Sequence, residues 1–105
     1  MTDKRLVLST AANTEEARLI ADALVERRLA ACVNMLGPMQ SIYRWKDEVE
    51  ESQEILLLIK TTAELFPRLR DELKQLHSYE VPECISIDIE DGLPAYLEWI
   101  AESVK

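Results

Sequence analysis

Hydrophobic and polar residues follow two different periods along this chain, and the changes of period mark its expected elements. Residues 6–10, a segment rich in aliphatic side chains, predict a buried strand. After Asn13, apolar residues recur at close to a 3.6-residue spacing, which predicts an amphipathic helix over residues 14–29. Asn13 can cap this helix, and Glu16 stands three residues further on, as a capping box requires.

The middle of the chain predicts two long strands joined by a tight turn. Strand character covers residues 31–36, is interrupted at Gly37-Pro38, and resumes over residues 39–45. Residues 46–48 are typical of a hairpin tip. The return strand covers residues 49–60, with a polar first half and an aliphatic run at its end. Two strands of this length form an arm longer than the core of a 105-residue chain needs.

The last part of the chain predicts a helix, a strand and a second helix. Residues 61–64 have the pattern of another capping box, and the leucines behind them predict a helix that begins near Phe66, with Pro67 in its first turn. Residues 84–89 alternate strictly and predict a half-buried strand. The glycine and proline at 92–94 introduce a final helix. This order of elements predicts an α+β fold, a ferredoxin-like sandwich in which helices cover one face of an antiparallel sheet.

Length and charge restrict the class of protein. The length predicts one domain over residues 1–105. Twenty acidic and twelve basic side chains give a formal net charge of −8, which disfavours nucleic acid and anionic membranes as partners and attracts divalent cations. We expect no signal peptide, and the longest apolar run, Ile55–Ile59, is too short to span a membrane. Two distant cysteines make no disulfide framework, so we expect a cytoplasmic location.

The reactive residues argue against an enzyme. Gly37 and Gly92 are the only glycines, so no glycine-rich nucleotide loop can form. No catalytic serine motif is present, and one histidine with two distant cysteines cannot supply the spacing of a structural zinc site. We therefore expect neither catalysis nor an organic cofactor.

A few side chains are candidates for a binding site, each with a structural alternative. His77 follows the second helix, where it either interacts with the helix dipole or serves with Glu80 as a ligand for copper, zinc or nickel. Cys32 is either a small core residue or a thiolate ligand for copper. Tyr43 and Trp45 share one strand face near the hairpin tip, where such rings anchor an interface, line a pocket or pack on the sheet.

Five segments of the chain together carry a family resemblance: Ala30–Asn34, Ser41–Lys46, Leu57–Thr61, His77–Glu83 and Tyr96–Ile100. In these segments the chain resembles the CutA divalent-cation-tolerance family. They occur in the family's order, and the match extends over nearly the whole chain, from Leu6 to about Val104. The resemblance implies a ferredoxin-like protomer in a homotrimer, with long hairpins that join sheets across subunits, similar in architecture to the PII signalling proteins. It also implies a role in tolerance to copper and other divalent cations, with no established reaction.

The chain departs from the family pattern at a few positions. Ser78 replaces a proline in the loop after the second helix, and Asp47 replaces a glycine at the hairpin turn. Ser9 and Leu76 stand where some members have a cysteine and a histidine that are linked to copper. Cys84 takes a position that is usually aliphatic, which favours a place in the core.

We therefore expect a trimeric metal-binding protein with copper(II) or another divalent cation in a cleft between subunits. Because one chain offers too few ligands, the site needs residues from a neighbouring subunit. The alternative is a PII-like regulatory module that binds a small anion or a partner protein in the same cleft, with Lys60 holding the anion. The expected metal ligands are His77, Cys32 and Glu80, and the expected cleft residues are Tyr43, Trp45 and Lys60.

Overall fold

Four antiparallel strands form one sheet, and three helices pack around it. The structure is a computed structural model and describes residues 2–105. The elements are β1 (Lys4–Ala11), α1 (Thr14–Glu26), β2 (Cys32–Trp45), β3 (Glu48–Thr62), α2 (Phe66–Leu76), β4 (Ile85–Asp88) and α3 (Pro94–Ser103). The strand order is β2-β3-β1-β4, and all three neighbouring pairs are antiparallel, so the predicted ferredoxin-like α+β fold is confirmed.

The main core lies between the sheet and the apolar faces of α1 and α2. Alternate residues of β1 and the second half of β3 point towards these helices, as the period of a strand requires. Each large aliphatic side chain buried here contributes about 1.5–3 kcal/mol to the free energy of folding. The fully buried members are Val7, Ile20, Leu24, Leu29, Leu57, Ile59, Leu69 and Leu73.

The opposite face of the sheet has less cover, and this corrects one expectation. Ile85 and Ile87 pair with Leu8 and Leu6, so they lie on the face that points away from Val7 and the main core. The two isoleucines are 50% and 43% exposed, so β4 is not the half-buried strand that its alternation predicted. None of the helices in residues 2–105 combines the length and apolar character that crossing a membrane requires.

The first helix is shorter than predicted because the chain turns sharply after it. α1 ends at Glu26, and Arg28 takes a left-handed conformation with φ of 59°. The backbone N–H of Leu29 then donates to the carbonyl of Leu24, which places the Leu29 side chain in the core. Hydrophobic periodicity included Leu29 in the helix because the residue is buried, although it lies beyond the helix end.

The second predicted capping box is wrong. Thr62 is the last residue of β3, and the N-cap of α2 is Leu65, which makes no side-chain capping bond. Thr62 Oγ1 accepts a hydrogen bond from the Leu65 N–H at 3.4 Å, so the threonine stabilises the turn between β3 and α2. The helix does begin at Phe66, with Pro67 in its first turn as expected.

A β-bulge at Gly37 determines which way the outer half of β2 faces. Leu36 pairs with Leu56 and Met39 pairs with Glu54, so β2 advances by three residues while β3 advances by two. The extra residue reverses the alternation of side chains and brings odd-numbered positions onto the face that Leu36 occupies. Gly37 has φ of 155°, and a Cβ atom there would lie 3.0 Å from the backbone oxygen of Glu54.

We predict that Gly37→Ala lowers the free energy of unfolding by about 2 kcal/mol, because it combines a strained backbone with a backbone clash. Gly92→Ala is the matched control, since a Cβ atom at Gly92 meets only the flexible Leu97 side chain, with its nearest atom at 3.2 Å. Denaturant unfolding at one fixed protein concentration compares the two variants. Equal losses would show that the bulge does not depend on glycine.

Candidate functional site

An open groove of about 760 Å³ lies between the β2–β3 hairpin and the loop after α2, and we call it the hairpin groove. Its floor is one face of the hairpin, the face that the bulge at Gly37 presents, and its wall is the loop of residues 79–83. The lining side chains include aromatic rings, carboxylates and aliphatic groups. They are Tyr43, Trp45, Tyr79, Glu50, Glu54, Glu80, Glu83, Met39, Ile42, Leu56, Val81, Thr10 and Ser41.

His77 holds the loop wall against the sheet. Its side chain is fully buried, and Nε2–H donates to the carbonyl oxygen of Thr10 at 2.6 Å. Nδ1 accepts a hydrogen bond from the Tyr79 N–H at 3.1 Å, so the two bonds define the Nε2–H tautomer. Neither nitrogen has a lone pair left for a metal ion. A metal bound to His77 would first have to break the Tyr79 or the Thr10 contact.

Glu16 ties the same loop to the start of α1. Its Oε2 accepts a hydrogen bond from the Ser78 N–H at 2.8 Å, and its Oε1 accepts from the Ala12 N–H at 3.1 Å. Asn13 Oδ1 accepts from the Glu16 N–H at 2.8 Å, which confirms the predicted N-cap. Burial raises the pKa of Glu16, but the hydrogen bonds from Ser78 and Ala12 outweigh it and leave that pKa below its ordinary value.

Tyr79 connects the loop to β3 at the bottom of the groove. Its hydroxyl donates to Glu54 Oε2 at 2.7 Å, and Glu54 is only 8% exposed. Burial, together with the neighbouring Glu54 carboxylate, raises the pKa of Tyr79 well above its ordinary value, so the hydroxyl stays a donor at neutral pH. His77, Glu16 and Tyr79 thus attach one loop to β1, α1 and β3.

The hairpin groove is acidic. Four glutamates line it, and none of its lining residues is a lysine, arginine or histidine. Carboxylates in a concave surface attract cations, and the net charge of −8 strengthens that field. Within residues 2–105 no group of three or more histidine, cysteine, aspartate or glutamate side chains is arranged to hold a metal ion.

The structure divides the predicted site residues between two places. Tyr43, Trp45 and Glu80 line the hairpin groove, and His77 lies behind its wall. Cys32 and Lys60 pair with each other at the other end of the hairpin, ten residues along β3 from Glu50, the partner of Tyr43. That spacing corresponds to roughly 30 Å along the strand. In a single chain these two residues therefore contribute nothing to the groove.

Cys32 and Lys60 have local partners of their own. Cys32 Sγ lies 3.7 Å from the Tyr96 hydroxyl of α3, and Lys60 Nζ donates to Asn34 Oδ1. Burial and the Cys32 contact raise the pKa of Tyr96. Cys84 packs against the main core, as expected, and burial raises the pKa of its thiol to about 11. Such a thiol is unreactive at neutral pH.

The sequence reasoning missed Glu16, Glu54 and Tyr79 as residues of the site. Glu16 was recognised only as part of a cap, because a local pattern does not show that Ser78 would lie beside its second oxygen. Glu54 stands directly before the aliphatic run of β3, and a carboxylate at the margin of a buried strand was the one available signal.

The sheet order, the projecting hairpin and the acidic groove define a small ferredoxin-like protein without a nucleotide loop. A family model described as CutA1 divalent ion tolerance protein matches residues 5–103. The chain therefore belongs to the CutA family of divalent-cation tolerance proteins, and the resemblance drawn from its segments is confirmed.

Individual relatives agree with this assignment. A Thermus thermophilus protein named divalent-cation tolerance protein CutA is 51% identical over 100 residues, which cover 95% of this chain and 97% of that protein. The crystal structure of CutA from Xylella fastidiosa has a TM-score of 0.96 and 41% identity, over 99% of this chain and all of that one. Mouse protein CutA is 46% identical over 87% of this chain, which spans only 51% of the mouse protein.

We predict that Glu16→Gln destabilises the chain at neutral pH by about 1–2 kcal/mol, because it removes a charged acceptor that serves two N–H groups. The folded pKa of Glu16 is lowered, so the stabilisation is complete above its ordinary value of 4.5 and is lost as pH falls through the folded value. The difference between wild type and variant should therefore shrink on acidification. Urea unfolding between pH 7 and pH 3 measures it.

Glu15→Gln is the matched control for this prediction. Glu15 lies in the same first turn and is exposed, so its removal changes the helix dipole interaction without touching the loop. If both variants lost the same stability at every pH, the contact between Glu16 and Ser78 would contribute nothing.

Proposed function

We propose that this chain acts in divalent-cation tolerance as a cytoplasmic homotrimer without enzymatic activity, and that it binds divalent cations, copper(II) among them, in the hairpin groove. The observation that supports this most is the lining of the groove, where Glu54 and Glu80 lie beside two further carboxylates and no basic side chain is present. Carboxylate oxygens suit hard and borderline divalent cations. One chain supplies an incomplete ligand set, so a second subunit completes it.

The unpaired part of the hairpin supports assembly. β1 pairs with residues 55–62 of β3 only, so residues 48–54 have β2 on one side and an open edge on the other. Open edges of long strands pair with other chains unless they are covered. Ile42 and Val49 are 68% and 63% exposed near the tip, which is typical of a contact surface. Pairing between hairpins would satisfy these edges and cover these side chains.

The anion-binding alternative receives less support from the geometry. It places Lys60 beside Tyr43 and Trp45 in a cleft between subunits, and within one chain Lys60 donates to Asn34 at the far end of the hairpin, so a neighbouring subunit would have to supply the lysine. An anion in the groove would face four carboxylates with no cation among the lining residues. A cation is therefore the ligand that we propose.

Light scattering on the eluted protein should give about three times the chain mass of 12.0 kDa. The double variant Ile42→Lys with Val49→Lys should lower that mass, because it places charges on the exposed apolar side chains of the hairpin. Leu19→Lys is the matched control, since Leu19 is also exposed, at 54%, but lies on α1 away from the hairpin. A wild-type monomer at micromolar concentration would contradict the proposed assembly.

Calorimetric titration of the metal-free protein with copper(II), with zinc and calcium in parallel, tests the binding itself. We expect saturable binding that Glu80→Gln weakens by about tenfold, because a charged ligand becomes neutral. Glu64→Gln should have no effect, since Glu64 is exposed outside the groove. Cys32→Ser should also have none, whereas the set of ligands expected from the sequence predicts a large loss.

Two results would contradict the groove as the metal site. Weak, unsaturable binding that no variant changes would mean that cations only accumulate around the acidic surface. A loss on Cys32→Ser with no loss on Glu80→Gln would move the site to the opposite end of the hairpin. His77→Ala is a poor test, because it also breaks the contacts with Thr10 and Tyr79 that hold the groove wall.

A further inference from the structure

A buried histidine and a carboxylate lie close together behind the loop wall, and each is bonded to a backbone N–H instead of to the other. The side chain of His77 is fully buried, and its Nδ1 lies 4.0 Å from Glu16 Oε2. Nδ1 accepts a hydrogen bond from the Tyr79 N–H, while Oε2 accepts one from the Ser78 N–H. Within residues 2–105 no other carboxylate lies within 4.0 Å of the imidazole nitrogens.

This arrangement depends on the neutral form of His77. Nε2–H donates to the Thr10 carbonyl, and Nδ1 uses its lone pair to accept from the Tyr79 N–H. A protonated imidazole has two N–H donors and no acceptor, so it cannot keep the bond from Tyr79. Histidine is the side chain whose charge ordinarily changes close to physiological pH. The contact between Nδ1 and the Tyr79 N–H is therefore the acid-sensitive bond of the loop.

Glu16 is placed to accept the donor that protonation would create. A carboxylate oxygen has two lone-pair sites, so Oε2 can accept from Nδ1–H and still keep the Ser78 N–H. The separation of 4.0 Å has to shorten by about 1 Å to reach the length of a charged hydrogen bond. Burial raises the pKa of Glu16, but the bonds from Ser78 and Ala12 outweigh it and hold that pKa below its ordinary value. The carboxylate therefore keeps its charge in the range where histidines gain a proton.

The other elements around the ring place no second negative charge beside it. The ring centroid of Tyr79 lies 4.6 Å from that of His77, and burial raises the pKa of the tyrosine, so its hydroxyl is neutral. Glu54 of β3 is bonded to that hydroxyl, on the far side of the tyrosine. Lys74 of α2 is exposed and donates to a backbone carbonyl of the loop, and Thr10 of β1 contributes only its carbonyl. Within residues 2–105 the α1 carboxylate is thus the negative charge nearest to the ring nitrogens.

We propose that His77 and Glu16 form a pH-sensitive latch for the loop after α2. In the neutral state His77 accepts from the Tyr79 N–H and holds the loop against the sheet. When Nδ1 takes a proton, His77 donates to Glu16, and the Tyr79 N–H leaves the ring and bonds to water. Because the Tyr79 hydroxyl is bonded to Glu54, the change reaches the wall of the hairpin groove.

The latch is independent of what covers or occupies the groove. Neither His77 nor Glu16 lines it, and their contacts lie within one chain. The inference goes beyond the proposed function, because the latch responds to protons and requires no bound metal ion.

Nuclear magnetic resonance of the intact protein tests the latch directly, since His77 is the only histidine of the chain. Correlations between its ring nitrogens and ring protons should show the Nε2–H tautomer at about pH 8 and a doubly protonated ring on acidification to about pH 5. Over the same range the Tyr79 amide should lose about tenfold of its protection from hydrogen exchange, because its acceptor is gone. The Ser78 amide should stay protected, because Glu16 still accepts from it.

Three variants separate the parts of the latch. Glu16→Gln removes the charge that receives the new donor, and it should lower the pH midpoint of ring protonation by about one unit. Glu15→Gln is the matched control, since it removes a charge from the same first turn of α1 at an exposed position, and it should leave the midpoint unchanged. His77→Gln keeps a donor and an acceptor but cannot gain a proton, so the protection of the Tyr79 amide should no longer depend on pH.

A ring that stays in the neutral tautomer until the protein unfolds, as circular dichroism would show, would overturn the inference. Protonation without any change at the Tyr79 amide would overturn it as well, and so would equal midpoints in the wild type and Glu16→Gln. The first two results come from the wild type alone, so they do not depend on whether a variant folds. None of these measurements involves copper, so the latch and the proposed metal site can each fail without the other.

Discussion

The length of β3 is the constraint on which the rest of the structure depends. The strand has 15 residues, whereas β1, its neighbour on one side, has eight. The second half of β3 is paired on both edges and buried under α1 and α2, which explains the aliphatic run from Ile55. The first half extends beyond the helices, so all its side chains except Val49 are polar and one of its backbone edges is open. The groove forms beside this uncovered half, together with Tyr43 and Trp45 of the facing part of β2.

A projecting hairpin forms a stable site only if something fixes the opposite wall, and here hydrogen bonds from three elements do so. His77 bonds to the end of β1, Ser78 to Glu16 of α1, and Tyr79 to Glu54 of β3. Each bond closes a long stretch of chain, so the loop is held by the tertiary fold and not by local propensity. His77, a candidate metal ligand in the sequence, therefore has a structural role in this chain, because its hydrogen bonds attach the loop to the sheet.

Local sequence patterns were sufficient to predict most helices and strands, but they could not predict how the side chains of the groove are arranged. Periodicity located the strands, α1 and α2 because burial on one face imposes it. It could not show that Gly37 is a bulge inside one continuous strand instead of a break, although this decides which face Tyr43 and Trp45 occupy. Nor could it show that His77 bonds to Thr10, 67 residues away. Within one chain β3 holds Lys60 and Tyr43 roughly 30 Å apart, so the predicted cleft between subunits can combine them only if they come from different subunits.

Charge and ring chemistry then act on different properties of a ligand. The four carboxylates of the groove favour a ligand with positive charge, and no basic residue in the lining neutralises them. They do not by themselves distinguish a metal ion from an organic cation, since both satisfy a buried carboxylate. The aromatic faces offer no donor atom that a divalent ion prefers, so the carboxylates would have to supply the metal ligands that this chain contributes to the proposed site.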